Sequence, residues 1–349
     1  QGSLYGASAL GGLVKYVMVS PDLTSFNGRA EIGINKVSGG GAGNAVRAAI
    51  NVPLVTNLLA VRASAYRREE AGYLDNVASG KTDINKLNVS GGTISVLLKP
   101  SAAFNARLTA DTQTITGQDN STPQADVLTL KPAYGSLLNV GWQLPINPSR
   151  SEQNRANLAL NYDAGFATLL SSTSYFRGKS DTAVDLTPTS GSLAALFGAN
   201  TVNFPITLDN KKATQELRLT SPGGRSLDWL VGAFYTEEKV AGFNGMDFLV
   251  GPAGGPFTTV VPGVVTFYYG ARLKESSLYA NATYKVSDPV DIQFGLRQTA
   301  IRQIYSQNQL AILGAPPSPT GDVHENETHT TGMISPRWRL DAQTMVYAR

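Results

Sequence analysis

Leu278-Tyr279-Ala280-Asn281-Ala282-Thr283-Tyr284-Lys285-Val286-Ser287-Asp288-Pro289-Val290-Asp291-Ile292-Gln293-Phe294-Gly295-Leu296-Arg297 reads as two strands and the turn that joins them. The first half sets Leu278, Ala280, Ala282 and Tyr284 against Tyr279, Asn281, Thr283 and Lys285. The second sets Val290, Ile292, Phe294 and Leu296 against Asp291, Gln293 and Arg297. Side chains of a strand alternate between its faces, so each half has one apolar and one polar face. Residues 29–35, 105–113 and 155–162 repeat the pattern. A sheet with one wet face gives such alternation in any protein. The connections therefore decide the architecture.

Those connections alternate in length. Short breaks fall at 53–57, 100–103, 163–165, 222–225, 287–289 and 341–344. Between them lie long polar or Gly/Pro-rich segments at about 68–88, 114–154, 178–212, 239–273 and 305–328. Short turns at one end and long loops at the other, with strands of about 9–11 residues, describe a membrane-spanning β-barrel. A soluble sandwich would not carry so many long loops at every second connection. Two stretches without charge, 186–208 and 248–271, are long enough to raise a membrane helix, but Pro188, Pro205, Pro252, Pro256 and Pro262 break them. They read as loops, with one helical turn around 192–197. Tyr66, Tyr162, Tyr175, Trp229, Tyr235, Tyr284 and Trp338 stand towards strand ends, as interfacial aromatics do. Pro336 interrupts a regular strand pattern and predicts a bulge or a strand start.

Composition narrows the class. Charged residues are 16% of 349, against roughly 25% in an ordinary soluble domain. The net charge of +3 is too small and too scattered for a nucleic-acid binder. Without Cys there is no disulfide, thiolate metal site or thiol nucleophile. The chain opens on Gln1 and closes at Arg349 inside an alternating run, so it reads as an internal fragment.

The first twenty residues differ. Gly2-Ser3-Leu4-Tyr5-Gly6, then Gly11-Gly12-Leu13-Val14, precede an apolar strand expected over 13–19. This stretch resembles the end of the plug domain of TonB-dependent outer-membrane receptors, with Gly2, Tyr5, Gly6, Gly11 and Gly12 in the plug motif. Two further stretches resemble that family in order and spacing. One is Gln215-Glu216-Leu217-Arg218-Leu219 with Leu227-Asp228-Trp229-Leu230-Val231-Gly232-Ala233-Phe234-Tyr235; the other is Ser335-Pro336-Arg337 leading to Tyr347-Ala348-Arg349. The resemblance implies an all-β fold: a transmembrane antiparallel up-and-down β-barrel of roughly 22 strands with a plugged lumen. It would be incomplete here, with residues 1–22 the C-terminal tail of the N-terminal plug and 23–349 roughly its first twelve or thirteen strands.

No chemistry of an enzyme is expected. His324 and His329 lie in an acidic stretch that reads as a solvated loop before a strand, not a metal site. Gly39-Gly40-Gly41-Ala42-Gly43 has no helix after it and reads as a connection between strands, not a phosphate cradle. Arg29, Arg62, Arg107, Arg155 and Arg297 fall on lumenal positions and are expected to pair with Glu31, Asp111 and plug groups. The adjacent acids Glu69-Glu70 and Glu237-Glu238 read as solvated loop edges.

The resemblance implies active transport of a scarce ligand (iron chelate, vitamin, carbohydrate or similar) across the outer membrane of a Gram-negative bacterium. TonB, with ExbB and ExbD, would pull on the plug; no cofactor is implied. A passive porin-like channel is the alternative, against which the plug-like segment argues. A soluble glycan-binding or hydrolytic module is a third reading and needs paired carboxylates at a cleft. Ligand contact is expected from the 239–273 segment, through Phe257, Phe267, Tyr268 and Tyr269, with Phe267 and Tyr269 on one face and Tyr268 on the other; the alternative is a loop that folds over its own apolar groups at the barrel mouth.

Overall fold

The computed structural model describes residues 17–118, 122–126, 128–144, 149–312 and 318–349. Thirteen strands form one antiparallel sheet in which every strand pairs with its sequence neighbour. They are β1 (Asn27–Lys36), β2 (Ala42–Val55), β3 (Leu59–Glu70), β5 (Leu87–Leu98), β6 (Phe104–Gly117), β8 (Ser149–Asp163), β9 (Thr168–Asp185), β10 (Thr201–Thr220), β11 (Leu227–Val250), β12 (Thr258–Ser287), β13 (Val290–Ile312), β14 (Ser318–Arg339) and β15 (Met345–Tyr347). Two-residue strands β4 (Asp75–Asn76) and β7 (Asn139–Val140) pair in parallel outside this sheet, and one helix, α1 (Thr187–Ala195), lies between β9 and β10. β1 and β15 are the free edges of the large sheet.

The turns sit where the breaks in the sequence put them. β2–β3, β5–β6, β8–β9, β10–β11, β12–β13 and β14–β15 are joined at one end by short connections. Asn57 takes a φ of 61° in the first, a left-handed conformation that Asn tolerates. Gly165 takes a φ of 80° in the third, and its amide donates to the Asp163 carboxylate.

The strands are longer than expected. β12 has 30 residues and β11 has 24, whereas about 10 suffice to cross a bilayer. Two of the expected loops are therefore hairpins. Segment 239–273 is mostly β11 and β12, joined by a connection at 251–257, and most of 305–328 lies in β13 and β14. Of the prolines and glycines that suggested a loop over 239–273, Pro252, Gly254, Gly255 and Pro256 sit in that connection, whereas Pro262 and Gly263 lie within β12. The uncharged segment 186–208 is likewise helix α1 followed by the start of β10, and the helix begins earlier than the expected turn. Glu237-Glu238 lies inside β11, and His324 and His329 lie inside β14. Residues 17–20 form no strand. Among the described residues no helix is long and apolar enough to cross a membrane.

Register assigns the faces. Ala233, Leu278 and Gln298 stand side by side, as do Val231, Ala280 and Leu296. The outward face carries Ile32, Ile34, Leu278, Leu296 and Ile334, each more than half exposed, as a lipid-facing band requires. Tyr162, Tyr175, Trp229, Tyr235, Tyr284 and Trp338 share that face. Tyr66 does not: it pairs with Arg47 and Gly91 on the opposite face, and its hydroxyl accepts from Gln113 at 2.7 Å. Pro336 makes no bulge and pairs regularly with Ile292. Its carbonyl accepts from Ala348, so its missing N–H points towards β15 and costs the β13 ladder nothing.

Candidate functional site: the lumenal wall and the loop-bearing mouth

The lumenal face is polar, and several of its arginines are matched by carboxylates. Arg297 donates to Glu275 at 2.8 Å, to Ser277 at 2.8 Å and to Thr299 at 3.0 Å. Both charged side chains are only 5% exposed, and the guanidinium lies 5.7 Å from the Tyr279 ring centre and 5.9 Å from that of Phe234. A buried pair of this kind holds because its hydrogen bonds and ring contacts offset the lost hydration. Beside it Tyr279 donates to Glu216, which also accepts from Arg218 at 2.6 Å. Further along the wall, Arg155 meets Asp111 at 2.7 Å, and Glu31 receives both Arg29 and Arg47. Arg29, Arg155 and Arg297 thus have the wall carboxylates as partners. Arg62 and Arg107 stand in the same lumenal rows, beside Asn51 and Ser95 and beside Leu97 and Ala159.

Glycines make room for the lumenal aromatics. A Cβ on Gly232 would come within 2.4 Å of the Tyr279 ring, and one on Gly242 within 2.1 Å of the Tyr269 ring; each glycine is the direct cross-strand partner of its tyrosine. The ring lies flat over the bare backbone, recovering packing that a glycine in a strand otherwise forfeits.

One buried side chain escaped the sequence reading. Asn51 is fully buried; its amide donates to the carbonyls of Asp22 (3.0 Å) and Ser25 (2.8 Å), and its oxygen accepts from the Asp22 amide at 2.9 Å. It pins the segment before β1 to the lumenal row of β2. Only the three-dimensional pairing reveals it, since the sequence there shows one Asn in an alternating strand. The plug motif Gly2, Tyr5, Gly6, Gly11 and Gly12 lies outside the described residues.

At the other end the long connections interlock. Asp185, 3% exposed, accepts from the amides of Gln143 (2.6 Å), Leu144 (3.0 Å) and Thr187 (2.9 Å). Gly254 donates to the Gln143 carbonyl, and Asn76 to that of Trp142. Leu74, Ile84, Val140 and Trp142 form one small core, and Ala194, Ala199, Val202, Phe248 and Val264 another, with Phe197 5.6 Å from Phe248. Connections 71–86, 122–144, 186–200 and 251–257 thus form a packed rim.

The aromatic candidates divide. Phe257 belongs to the 251–257 connection. Tyr269 pairs with Gly242 and Phe267 with Asn244 in an unbroken register from Tyr279, which places both on the lumenal face. Tyr268 pairs with Phe243 on the outward face, their ring centres 5.1 Å apart. Among the described residues no three His, Cys, Asp or Glu side chains stand together as metal ligands. His329 contacts Glu327 and faces Thr299 across the β13–β14 ladder.

A sequence profile described as "TonB dependent receptor-like, beta-barrel" matches residues 98–349, which run from the end of β5 to the last strand. The chain belongs to that family. Its members are outer-membrane transport receptors, not enzymes. Comparison with curated protein sequences finds no match. Among solved structures, the chain is similar to the ferric yersiniabactin uptake receptor FyuA from Yersinia pestis, with a TM-score of 0.81, 18% identity, and coverage of 99% of this chain and 49% of that one. It is also similar to the ferric-catecholate import receptor Fiu from E. coli K12 in its open form (0.67, 16%, 94% and 54%) and to the unliganded ferric citrate transporter FecA (0.68, 11%, 99% and 46%). At these identities the likeness is one of fold. The chain spans about half the length of the structures it matches.

Proposed function

We propose that the full-length protein is a TonB-dependent active transporter in the outer membrane of a Gram-negative bacterium. The family match along the barrel wall carries this reading. Residues 1–22 would be the end of the plug; the anchoring of Asp22 and Ser25 to Asn51 supports it by holding the preceding chain against the lumenal face. TonB, with ExbB and ExbD, would draw on the plug, and lipid would cover the outward face. The structural relatives favour this over a porin-like channel.

The cargo proposed is a small scarce ligand, with an iron chelate foremost because the similar structures are receptors for iron complexes. Phe267 and Tyr269 face the lumen near the mouth and would contact it, with Phe257 in the adjoining connection; Tyr268, packed on Phe243, would not. Aromatic area removed from water there stabilises an apolar or sugar face by roughly 25 cal/mol per Å². The test is uptake of candidate iron complexes by cells that carry the full-length receptor. Uptake should require both TonB and the proton gradient. Equal uptake without TonB would make it a passive channel.

A further inference from the structure

Directly facing like charges weaken a sheet, yet the outward face of this one carries them in a row. Arg177 pairs with Lys211, Lys211 with Lys239, and Lys239 with Arg272, four cations on four consecutive strands. One step towards the turns, Lys274 directly faces Arg302, and Lys179 stands one step beyond Arg177. The patch across β9–β13 holds these seven cations against three carboxylates, Asp181, Asp209 and Glu237; at its border Lys179 directly faces Asp209 of β10 and Glu152 of β8. Asp209 pairs with Arg177 at 3.0 Å; Glu237 is shared by Arg272 at 2.6 Å and Lys239 at 3.3 Å. Among the described residues no carboxylate lies within ion-pair distance of Lys179, Lys211, Lys274 or Arg302.

Position identifies the missing counter-charge. The cations share their face with Leu217, Ala233, Leu278 and Leu296, and Tyr175 and Tyr235 stand between that apolar band and the row. Lys274 is ten residues from Tyr284 along β12, and Arg302 ten from Ile292 along β13. At the usual rise and tilt that is about 25 Å, the height of a lipid-facing band. The row spans three strand spacings, or about 14 Å. It therefore lies outside the barrel, at the level of the headgroups on the loop-bearing side. Long Lys and Arg side chains there reach sideways into the headgroup layer, where guanidinium and ammonium groups bind phosphate strongly.

We infer that the outward face of β9–β13 is a binding surface for a phosphate-bearing lipid headgroup of the loop-side leaflet. This rests on the reading of the chain as a membrane-spanning wall, and needs nothing of the transport mechanism. The anion would relieve the repulsion between facing cations and tie the wall to its leaflet.

The test uses the full-length receptor, delipidated in detergent and mixed with micelles containing phosphatidic acid. Bound lipid is counted by native mass spectrometry. The parent should retain phosphatidic acid, ignore phosphatidylcholine, and keep its lipid in the presence of inorganic phosphate. The combined Lys211→Gln, Lys239→Gln, Lys274→Gln and Arg302→Gln variant should lose about fivefold or more of the bound lipid, on the scale expected for several cations at a lipid surface. It should still insert, and still show heat-dependent migration. Lys212→Gln, which changes a cation on the lumenal face, should bind as the parent does. Equal lipid retention by parent and combined variant would overturn the inference, and so would displacement by inorganic phosphate. Failure to insert into bilayers would instead remove the membrane-wall reading itself.

Discussion

Gly232 shows how far a single position governs the wall. Its lack of a side chain lets the Tyr279 ring lie over the backbone and reach Glu216. Gly232→Val should push the ring away and cost about 1–3 kcal/mol by overpacking, measured as a lower denaturation midpoint of the full-length receptor in detergent. Gly223→Ala, where a Cβ would meet nothing, should leave the midpoint unchanged. The Arg297–Glu275 pair makes a second prediction. Arg297→Met leaves a buried carboxylate without its main partner and should cost about 3–5 kcal/mol, whereas Arg297→Met with Glu275→Met should recover most of it. A double variant no more stable than the single one would mean that the pair is not isolated from water. The lumenal arginines were legible in the sequence because alternation put them on the polar face. The partners of Arg297 were not: Glu275 lies 22 residues away, and only the register of β12 with β13 brings it near.

For the elements, the turns were legible and the far ends of the strands were not. Pro, Gly, Asn and Asp punctuate the short connections, where the chain must reverse within a few residues. Beyond the bilayer the apolar alternation has no lipid to sustain it, so in the far ends of β11–β14 it is broken by glycines, prolines and polar residues that resemble loops. The same loss hid the rim. Its cores draw single residues from distant connections, and its main tie is the Asp185 carboxylate, which gathers amides from two of them. Asp185→Ala should free 122–144 from the start of α1. Hydrogen exchange should rise at Gln143, Leu144 and Thr187 while the amides of β10 and β11 below the rim stay protected. Unchanged exchange would show that the two small cores suffice. A smaller turn in the same rim gives a pH test. The Asp126 carboxyl is held below its ordinary 3.8 chiefly by the Thr129 amide, then by the Thr129 hydroxyl and the Leu128 amide. A depressed folded value means that the carboxylate stabilises the turn at pH above the ordinary value, and that this is lost as pH falls through the depressed one. Protection of Leu128 and Thr129 should accordingly persist down to pH 3.8 and fall only below it.

At the largest scale, the described residues form an open wall of thirteen strands with β1 and β15 at its edges. Unpaired edges are not tolerated in lipid, so the 349-residue chain expressed alone should aggregate and form no stable pore. A heat-modifiable, protease-resistant monomer from refolding would contradict this. The fold class was legible from two features together: period-two alternation, and the regular exchange of short with long connections. Neither alone separates a membrane wall from a soluble sheet. The geometry of that exchange also gives the most direct measurement. The chain has no Cys, so single cysteines can be placed in the full-length receptor at Ser190 and Gly254 of the rim and at Asn57 and Gly224 of the short turns. A membrane-impermeant maleimide applied to intact cells should label the first two and leave the last two unlabelled until the envelope is opened. Equal labelling of all four in intact cells would contradict a wall that crosses the membrane with its short turns on one side and its long connections on the other.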